Sequence, residues 1–117
     1  MSVEQLPLAP PGWGGGETLL RLIDPTGMAA AWVAPDLGAN CVGFAVRHSG
    51  RWLQLLDGGD AALLSRFPTR YGCPVLFPFP GHMLGARYIW GGVEHRLAPN
   101  LPTGADFVHG FAHNRPW

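Results

Sequence analysis

The stretch CVGFAVRHSGRWLQLL, residues 41–56, decides the fold class of this chain. Residues 41–48 alternate larger apolar side chains with small ones, and this period of two is typical of a β-strand. The larger side chains, which the pattern places on one face, are Val42, Phe44 and Val46. A Ser-Gly dipeptide at 49–50 then supplies a turn, so residues 51–56 are predicted to return as the second strand of an antiparallel hairpin.

Short apolar segments separated by turn residues continue upstream of this hairpin. Residues 17–24 and 28–34 are predicted to be strands, with Pro25-Thr26-Gly27 as the turn between them. The sequence has no βαβ alternation that would build a parallel sheet, and it has no internal repeat. The pattern therefore predicts an all-β fold, an antiparallel β-sandwich or barrel.

Downstream of the hairpin, the sequence predicts one short helix and a further hairpin. Asp60 is placed to cap a single helical turn through residues 61–66. A Gly-Gly dipeptide at 91–92 accepts the positive φ angles of a two-residue turn, so residues 87–90 and 93–97 are predicted to pair. Two segments rich in Pro and Gly are predicted to be shaped loops, residues 71–85 and 98–110.

The composition favours one folded domain over disorder. The chain contains 17 Gly and 12 Pro, but 47% of it is hydrophobic and 14% is charged, so it has the apolar side chains that a core requires. A length of 117 residues fits a single domain. Residues 1–16 are predicted to be a flexible lead-in because they are rich in Pro and Gly. Residues 17–117 are predicted to form the β-sandwich domain.

The charge pattern excludes several classes of function. The net charge is zero, with 8 acidic and 8 basic residues, and every basic residue is an Arg placed singly along the chain. Nucleic-acid binding needs clustered positive charge. A Walker loop or a Schiff-base mechanism needs a Lys. We therefore expect none of these functions.

Cysteine usage and the N-terminus indicate a reduced, cytoplasmic setting. Cys41 and Cys73 have no paired spacing, so by themselves they build neither a disulfide framework nor a four-ligand zinc site. The N-terminus lacks the basic start and the apolar run of a secretion signal, and the longest apolar run, residues 28–34, is too short to span a membrane. We therefore expect no membrane partner.

Histidines are the natural candidates for proton transfer because imidazole titrates near neutrality. His82 lies in a Pro-rich loop, where an exposed polar side chain is often a binding group. His109 and His113 are four residues apart, a spacing that paired zinc ligands on a helix also show. Gly110 weakens a helix there and a third ligand is not evident, so metal binding is only an alternative. Asp106 is interpreted as a structural hydrogen-bond acceptor rather than as an acid–base partner.

Three motifs follow one another in the C-terminal half of the chain. They are GCPVLFPFPG at 72–81, GARYIWGG at 85–92, and HGFA at 109–112 with Pro116-Trp117. In their order and spacing they resemble the aldose 1-epimerase (galactose mutarotase-like) family, over residues 17–117. The resemblance implies a large antiparallel β-sandwich of the galactose mutarotase-like type. It also implies an activity that interconverts the α and β anomers of free sugars or acts on related sugar phosphates.

The resemblance further implies roles for individual residues. His109 matches the family's His-Gly histidine, which contacts the sugar near its ring oxygen, and it is the predicted catalytic residue. His82 stands where the family usually has a sugar-contacting Arg, and His113 stands where many relatives have an Arg. All three histidines are predicted to bind substrate, but the imidazole of His82 cannot form the two-pronged contact that an Arg makes with a phosphate.

The family's general base, a Glu, and its second, acid His have no match in this chain. Ring opening needs both a base and an acid. The chain is therefore expected to be an N-terminal portion of such a protein, inactive alone, with a small aldose as its partner and with no cofactor. One alternative is a non-catalytic carbohydrate-binding or edge-pairing β module that self-associates through an exposed sheet edge. The other is a small metal-binding β-barrel that uses His82, His109 and His113.

Overall fold

The computed structural model describes Pro10, Gly12, Trp13 and residues 18–117. Of the predicted lead-in, residues 1–16, only Pro10, Gly12 and Trp13 are among the described residues. The chain divides into two units, of which the first consists of Met1–Val75 together with His113–Trp117 and the second of Leu76–Ala112.

The first unit is built on a four-stranded antiparallel sheet in which sequence neighbours pair. Its strands are β1 Leu20–Ile23, β2 Ala29–Ala34, β3 Asn40–His48 and β4 Arg51–Gln54, in the order β1-β2-β3-β4. The hairpin predicted from residues 41–56 is confirmed as β3 and β4, which pair in antiparallel register. Ser49 and Gly50 form its turn with positive φ angles of 48° and 77°, which match the twist of paired strands.

A β-bulge interrupts the pairing of β2 with β3. The register shifts between Trp32 and Val33, and Val42 is the bulged residue opposite them. The single face predicted for Val42, Phe44 and Val46 is therefore interrupted: Val42 is fully buried, whereas Phe44 is 39% exposed. An extra residue in one strand shifts the alternation of side chains by one position, and a pattern with a period of two does not reveal that shift.

A short helix, α1 Ala61–Arg66, contributes to the core of the first unit. The predicted cap at Asp60 is confirmed, because its Oδ1 accepts a hydrogen bond from the Leu63 N–H at 2.7 Å. The buried core residues are Trp13, Ala30, Trp32, Ala34, Val42, Ala45, Ala61 and Leu64. Trp13 falls within the predicted lead-in, yet its indole N–H donates to the Gly59 carbonyl at 3.0 Å. In the described part of the chain, no helix is long and apolar enough to cross a membrane.

Asn40, which is fully buried, attaches the segment after α1 to the start of β3. Its Nδ2 donates to the Tyr71 carbonyl at 3.1 Å, and its Oδ1 accepts from the Cys73 N–H at 2.9 Å. The Cys73 N–H also donates to the Cys41 carbonyl at 2.9 Å, and the two cysteines form an antiparallel bridge. The fold thus brings together two cysteines whose sequence spacing indicates no pairing.

The second unit contains two short antiparallel sheets. They are formed by β5 His82–Met83 with β8 Phe107–Val108, and by β6 Arg87–Trp90 with β7 Val93–Arg96. The predicted hairpin is confirmed as β6 and β7, with Gly91 and Gly92 at φ angles of 60° and 79° in the turn. The predicted loops at 71–85 and 98–110 are mostly irregular, but each also contributes one two-residue strand to the β5–β8 pair.

Candidate functional site

The β5–β8 pair brings together two of the three histidines singled out in the sequence. His82 pairs with Val108. The His109 N–H donates to the Gly81 carbonyl at 2.9 Å, which continues the pairing by one residue. His82 and His109 therefore lie one register position apart at the same end of the pair. The strands β5 and β8 together with Gly81 and His109 are called the histidine ribbon below.

His109 is constrained at both its backbone and its ring. Its φ angle is 60°, in the left-handed region that a residue with a side chain enters at a cost of about 1–2 kcal/mol. The Gly81 N–H donates to Nδ1 of the imidazole at 3.0 Å. Because Nδ1 accepts this hydrogen bond, the neutral ring carries its proton on Nε2. His109 therefore has a defined tautomer with an Nε2–H donor.

The glycine of the HGFA motif has a steric role in placing His109. Gly110 has a φ angle of 73° and forms a parallel bridge with Phe77. A Cβ atom at this position would overlap the Phe77 carbonyl. The Phe111 N–H donates to the same carbonyl at 2.7 Å. The chain can run this close to Phe77 because residue 110 has no side chain.

Asp106 connects His82 to the loop that follows β5. Its Oδ2 lies 2.9 Å from Nε2 of His82, and its Oδ1 accepts from the Gly85 N–H at 2.8 Å. The hydrogen bond from Gly85, followed by the interaction with His82, lowers the pKa of Asp106 below its usual value. An ionised carboxylate only accepts hydrogen bonds, so Nε2 of His82 carries a proton and, in the neutral ring, Nδ1 is an acceptor. The predicted acceptor role of Asp106 is confirmed, with His82 as the side-chain donor.

The two imidazoles therefore differ in hydrogen-bonding character when both are neutral. The His109 ring carries its proton on Nε2, and the His82 ring has an acceptor at Nδ1. The His82 side chain is 50% exposed, and His109 is partly exposed. A hydroxyl group can pair with either ring, because each hydroxyl both donates and accepts.

Asn100 supports the ribbon and is not among the predicted site residues. Its Nδ2 donates to the Val108 carbonyl at 2.9 Å and its Oδ1 accepts from the Val108 N–H at 2.7 Å. The Asn100 side chain thus makes the two backbone hydrogen bonds with Val108 that a residue on a neighbouring strand would make. Phe107, which belongs to β8, is buried, with the rings of Phe79 and Phe111 at centroid distances of 5.8 and 5.0 Å. An Asn in a loop is a known signal for such backbone contacts, but the sequence does not indicate which backbone it reaches.

His113 belongs to the first unit and not to the ribbon. It lies in a short 3-10 turn, Ala112–Asn114, and is 4% exposed. Its backbone lies against Gly38, where a Cβ atom would overlap the His113 carbonyl. The substrate contact predicted for His113 therefore gains no support from its burial, and it stays a prediction.

The metal-binding alternative also gains no support. Among the described residues, no group of three or more His, Cys, Asp and Glu side chains is arranged to hold a metal ion. A hollow of about 600 Å³ lies in the first unit beside residues 54–60. Its carboxylates, those of Asp57 and Asp60, accept hydrogen bonds from the Gly59 and Leu63 N–H groups. These carboxylates therefore have structural roles in a turn and a helix cap.

Comparison with known proteins identifies the fold. No family model and no curated protein matches this chain. Among solved structures, this chain is similar to a predicted aldose 1-epimerase from Escherichia coli K12, with a TM-score of 0.67 and 29% sequence identity. The similarity covers 87% of this chain and 32% of that protein's chain. A galactose mutarotase-like protein from Clostridium acetobutylicum is similar with a TM-score of 0.61 and 21% identity, over 86% of this chain and 33% of that one. The chain thus spans about a third of the length of these two proteins.

Proposed function

We propose that this chain binds an aldose sugar at the histidine ribbon. The chain has the antiparallel β fold of an N-terminal portion of the aldose 1-epimerase (galactose mutarotase-like) proteins. The observation that carries the proposal is the hydrogen bond from the Gly81 N–H to Nδ1 of His109. It fixes the ring as an Nε2–H donor in the segment that matches the family's His-Gly motif. A donor held in one tautomer is suited to bind an acceptor such as a sugar ring oxygen.

The chemistry of anomer interconversion explains why a donor at this position is useful. The ring opens when a base removes the proton of the anomeric hydroxyl and an acid donates a proton to the ring oxygen. His109 would donate its Nε2–H toward the ring oxygen. His82, held through Nε2 by Asp106, would accept a hydrogen bond from a sugar hydroxyl at Nδ1.

We further propose that these 117 residues bind sugar but do not by themselves accelerate anomer interconversion. The sequence holds no counterpart of the family's general base Glu or of its second His. A single positioned imidazole does not supply both the base and the acid that ring opening needs. Activity of the kind named for the solved relatives would need those additional groups.

Two measurements test the proposal together. Titration of the ¹⁵N-labelled chain with galactose and with glucose should shift the amide signals of Gly81 and Gly110, which flank the two histidines. The His109→Ala variant should lose these shifts, whereas the control variant His48→Ala, at an exposed position at the end of β3, should keep them. Unchanged signals in the wild type would overturn sugar binding at the ribbon.

The rate of anomer interconversion is then followed by polarimetry for the wild type, for His109→Ala and for buffer. The expected result is a rate equal to that of buffer in all three samples. A faster rate that is lost in His109→Ala would show that the chain is itself an epimerase, and would contradict the proposed lack of activity while supporting the site.

Self-association and a cytoplasmic location stay predictions. β1 and β4 are the outer strands of the four-stranded sheet, and such strands carry backbone groups that can pair with another chain. Gel filtration over a range of concentrations tests this: a concentration-dependent dimer is expected if an outer strand pairs with a second copy, and a monomer throughout contradicts it.

A further inference from the structure

Cys41, in β3, and Cys73 lie opposite each other in an antiparallel bridge. Residues that are directly opposite in an antiparallel pair have Cα atoms about 4.5–5.5 Å apart, and their side chains lie on the same face. A disulfide needs Cα atoms about 4.4–6.8 Å apart. A bridge of this kind therefore places the two Cα atoms within the range that a disulfide requires.

The position of Cys73 is held by interactions that do not involve its thiol. The Cys73 N–H donates to the Cys41 carbonyl and to Oδ1 of the buried Asn40, in each case at 2.9 Å. The preceding residue, Gly72, approaches β3 so closely that a Cβ atom there would overlap the Asn40 side chain. Bond formation would thus join two residues that the folded chain already keeps in register.

The two thiols differ in accessibility. Cys73 is exposed and Cys41 is partly buried, and both are free thiols. Burial, with a smaller contribution from the nearby Cys73, raises the pKa of Cys41. Because thiol exchange depends on access and on thiolate character, a dissolved reagent meets Cys73 first, and Cys41 is placed to react second.

We propose that Cys41 and Cys73 form a reversible thiol–disulfide site that low-molecular-weight disulfides such as glutathione disulfide oxidise. The Cys73 thiolate attacks one sulfur of the reagent, which forms a mixed disulfide and releases one glutathione thiolate. The Cys41 thiolate then attacks the Cys73 sulfur, which forms the Cys41–Cys73 bond and releases the second glutathione. The chain loses two protons and two electrons, and the reagent gains them as two thiols. Both cysteines belong to the first unit, so the inference does not depend on the proposed sugar site.

Peptide mapping of the full chain tests the proposal. The folded protein is incubated with glutathione disulfide, remaining thiols are alkylated, and the protein is digested without reductant. The expected product is one cross-linked pair of peptides that contains Cys41 and Cys73, without retained glutathione. The cross-link is expected to raise the melting temperature by an amount on the order of 10 °C, and dithiothreitol should reverse this rise.

Two matched variants separate the steps. Cys41→Ser should stop at the mixed disulfide on Cys73 and retain one glutathione, because the second thiol is missing. Cys73→Ser should react much more slowly, because the remaining thiol is partly buried. If the wild type instead yields only glutathionylated Cys73, only disulfide-linked dimers, or only unmodified chain, the proposal is wrong. This wild-type result decides the matter even if a variant fails to fold.

Discussion

The carboxylate of Asp106 holds the imidazole of His82, with Oδ2 2.9 Å from Nε2, although the two residues are 24 positions apart. The other carboxylate oxygen accepts from the Gly85 N–H at 2.8 Å, which orients the group. A carboxylate has no proton to donate, so it places the proton of His82 on Nε2. Residue 106 thus sets the hydrogen-bonding character of residue 82.

The Asp106→Asn substitution is expected to reverse the hydrogen-bonding character of the His82 ring. The amide oxygen can still accept from Gly85, but the amide NH₂ then faces Nε2 of His82 as a donor and favours the tautomer with its proton on Nδ1. Sugar affinity at the ribbon should fall by about tenfold, the effect of one lost hydrogen bond of about 1.4 kcal/mol. The ¹⁵N chemical shifts of the His82 ring report the tautomer directly. Identical ring shifts in wild type and variant would contradict the role given to Asp106.

His82→Arg is expected to change ligand preference toward phosphorylated sugars. The guanidinium is always charged and donates two parallel hydrogen bonds to a phosphate, whereas the neutral imidazole offers one acceptor at Nδ1. Calorimetric titration with glucose and with glucose 6-phosphate should show the ratio of affinities shifting toward the phosphate by about tenfold or more, since charge-assisted hydrogen bonds contribute about 1.5–3 kcal/mol. The His95→Arg variant, on the β6–β7 hairpin, adds the same charge elsewhere and controls for general attraction. An equal shift in both variants would contradict a specific contact at residue 82.

Gly110→Ala is expected to destabilise the second unit strongly. The added Cβ would overlap the Phe77 carbonyl, at a φ angle of 73° that already disfavours a side chain. The matched control is Gly92→Ala, which has a φ angle of 79° but no other heavy atom within 4 Å of the new Cβ. Gly92→Ala should cost about 1–2 kcal/mol for the backbone conformation alone, and Gly110→Ala should cost about 3 kcal/mol or more. Urea unfolding measures both, and equal costs would contradict the steric role of Gly110.

Asp24 organises the turn between β1 and β2 and makes stability depend on pH. Its carboxylate accepts from the N–H and hydroxyl of Thr26 and from the N–H groups of Met28 and Ala29. These hydrogen bonds lower the pKa of Asp24 from 3.8 to about 2. A carboxyl group whose pKa is lower in the folded chain than in the unfolded chain stabilises the fold above its unfolded pKa, and this contribution is lost as the pH falls through the folded pKa.

Asp24→Asn should therefore be less stable than the wild type at neutral pH, and the difference should shrink as the pH falls from 3.8 toward about 2. Urea-unfolding midpoints across this range provide the measurement. Thr26→Val, which keeps the carboxylate and its backbone donors but removes the hydroxyl, should show a smaller effect of the same sign. A difference between wild type and Asp24→Asn that does not change with pH would contradict the assignment.

Local patterns in the sequence determined the elements of the main sheet. Alternation over residues 41–48, a Ser-Gly turn and a returning apolar strand predicted β3 and β4, and a helix cap at Asp60 predicted the start of α1. Each of these signals acts between residues that are close in sequence, because turn chemistry, capping and side-chain alternation depend on neighbouring backbone angles. The motif resemblance in the C-terminal half added the galactose mutarotase-like fold, which the solved structures confirm.

The tertiary structure alone decided which distant residues meet. Gly81 and His109 are 28 positions apart, His82 and Asp106 are 24 apart, and Asn40 reaches Cys73 across 33 positions. Such contacts depend on strand register and on bulges such as the one at Val42, and a shift of one residue would place every following side chain on the opposite face. Register is set by how the whole chain packs. The sequence therefore showed which residue types the candidate site contains, but it did not show their hydrogen-bond partners or their tautomers.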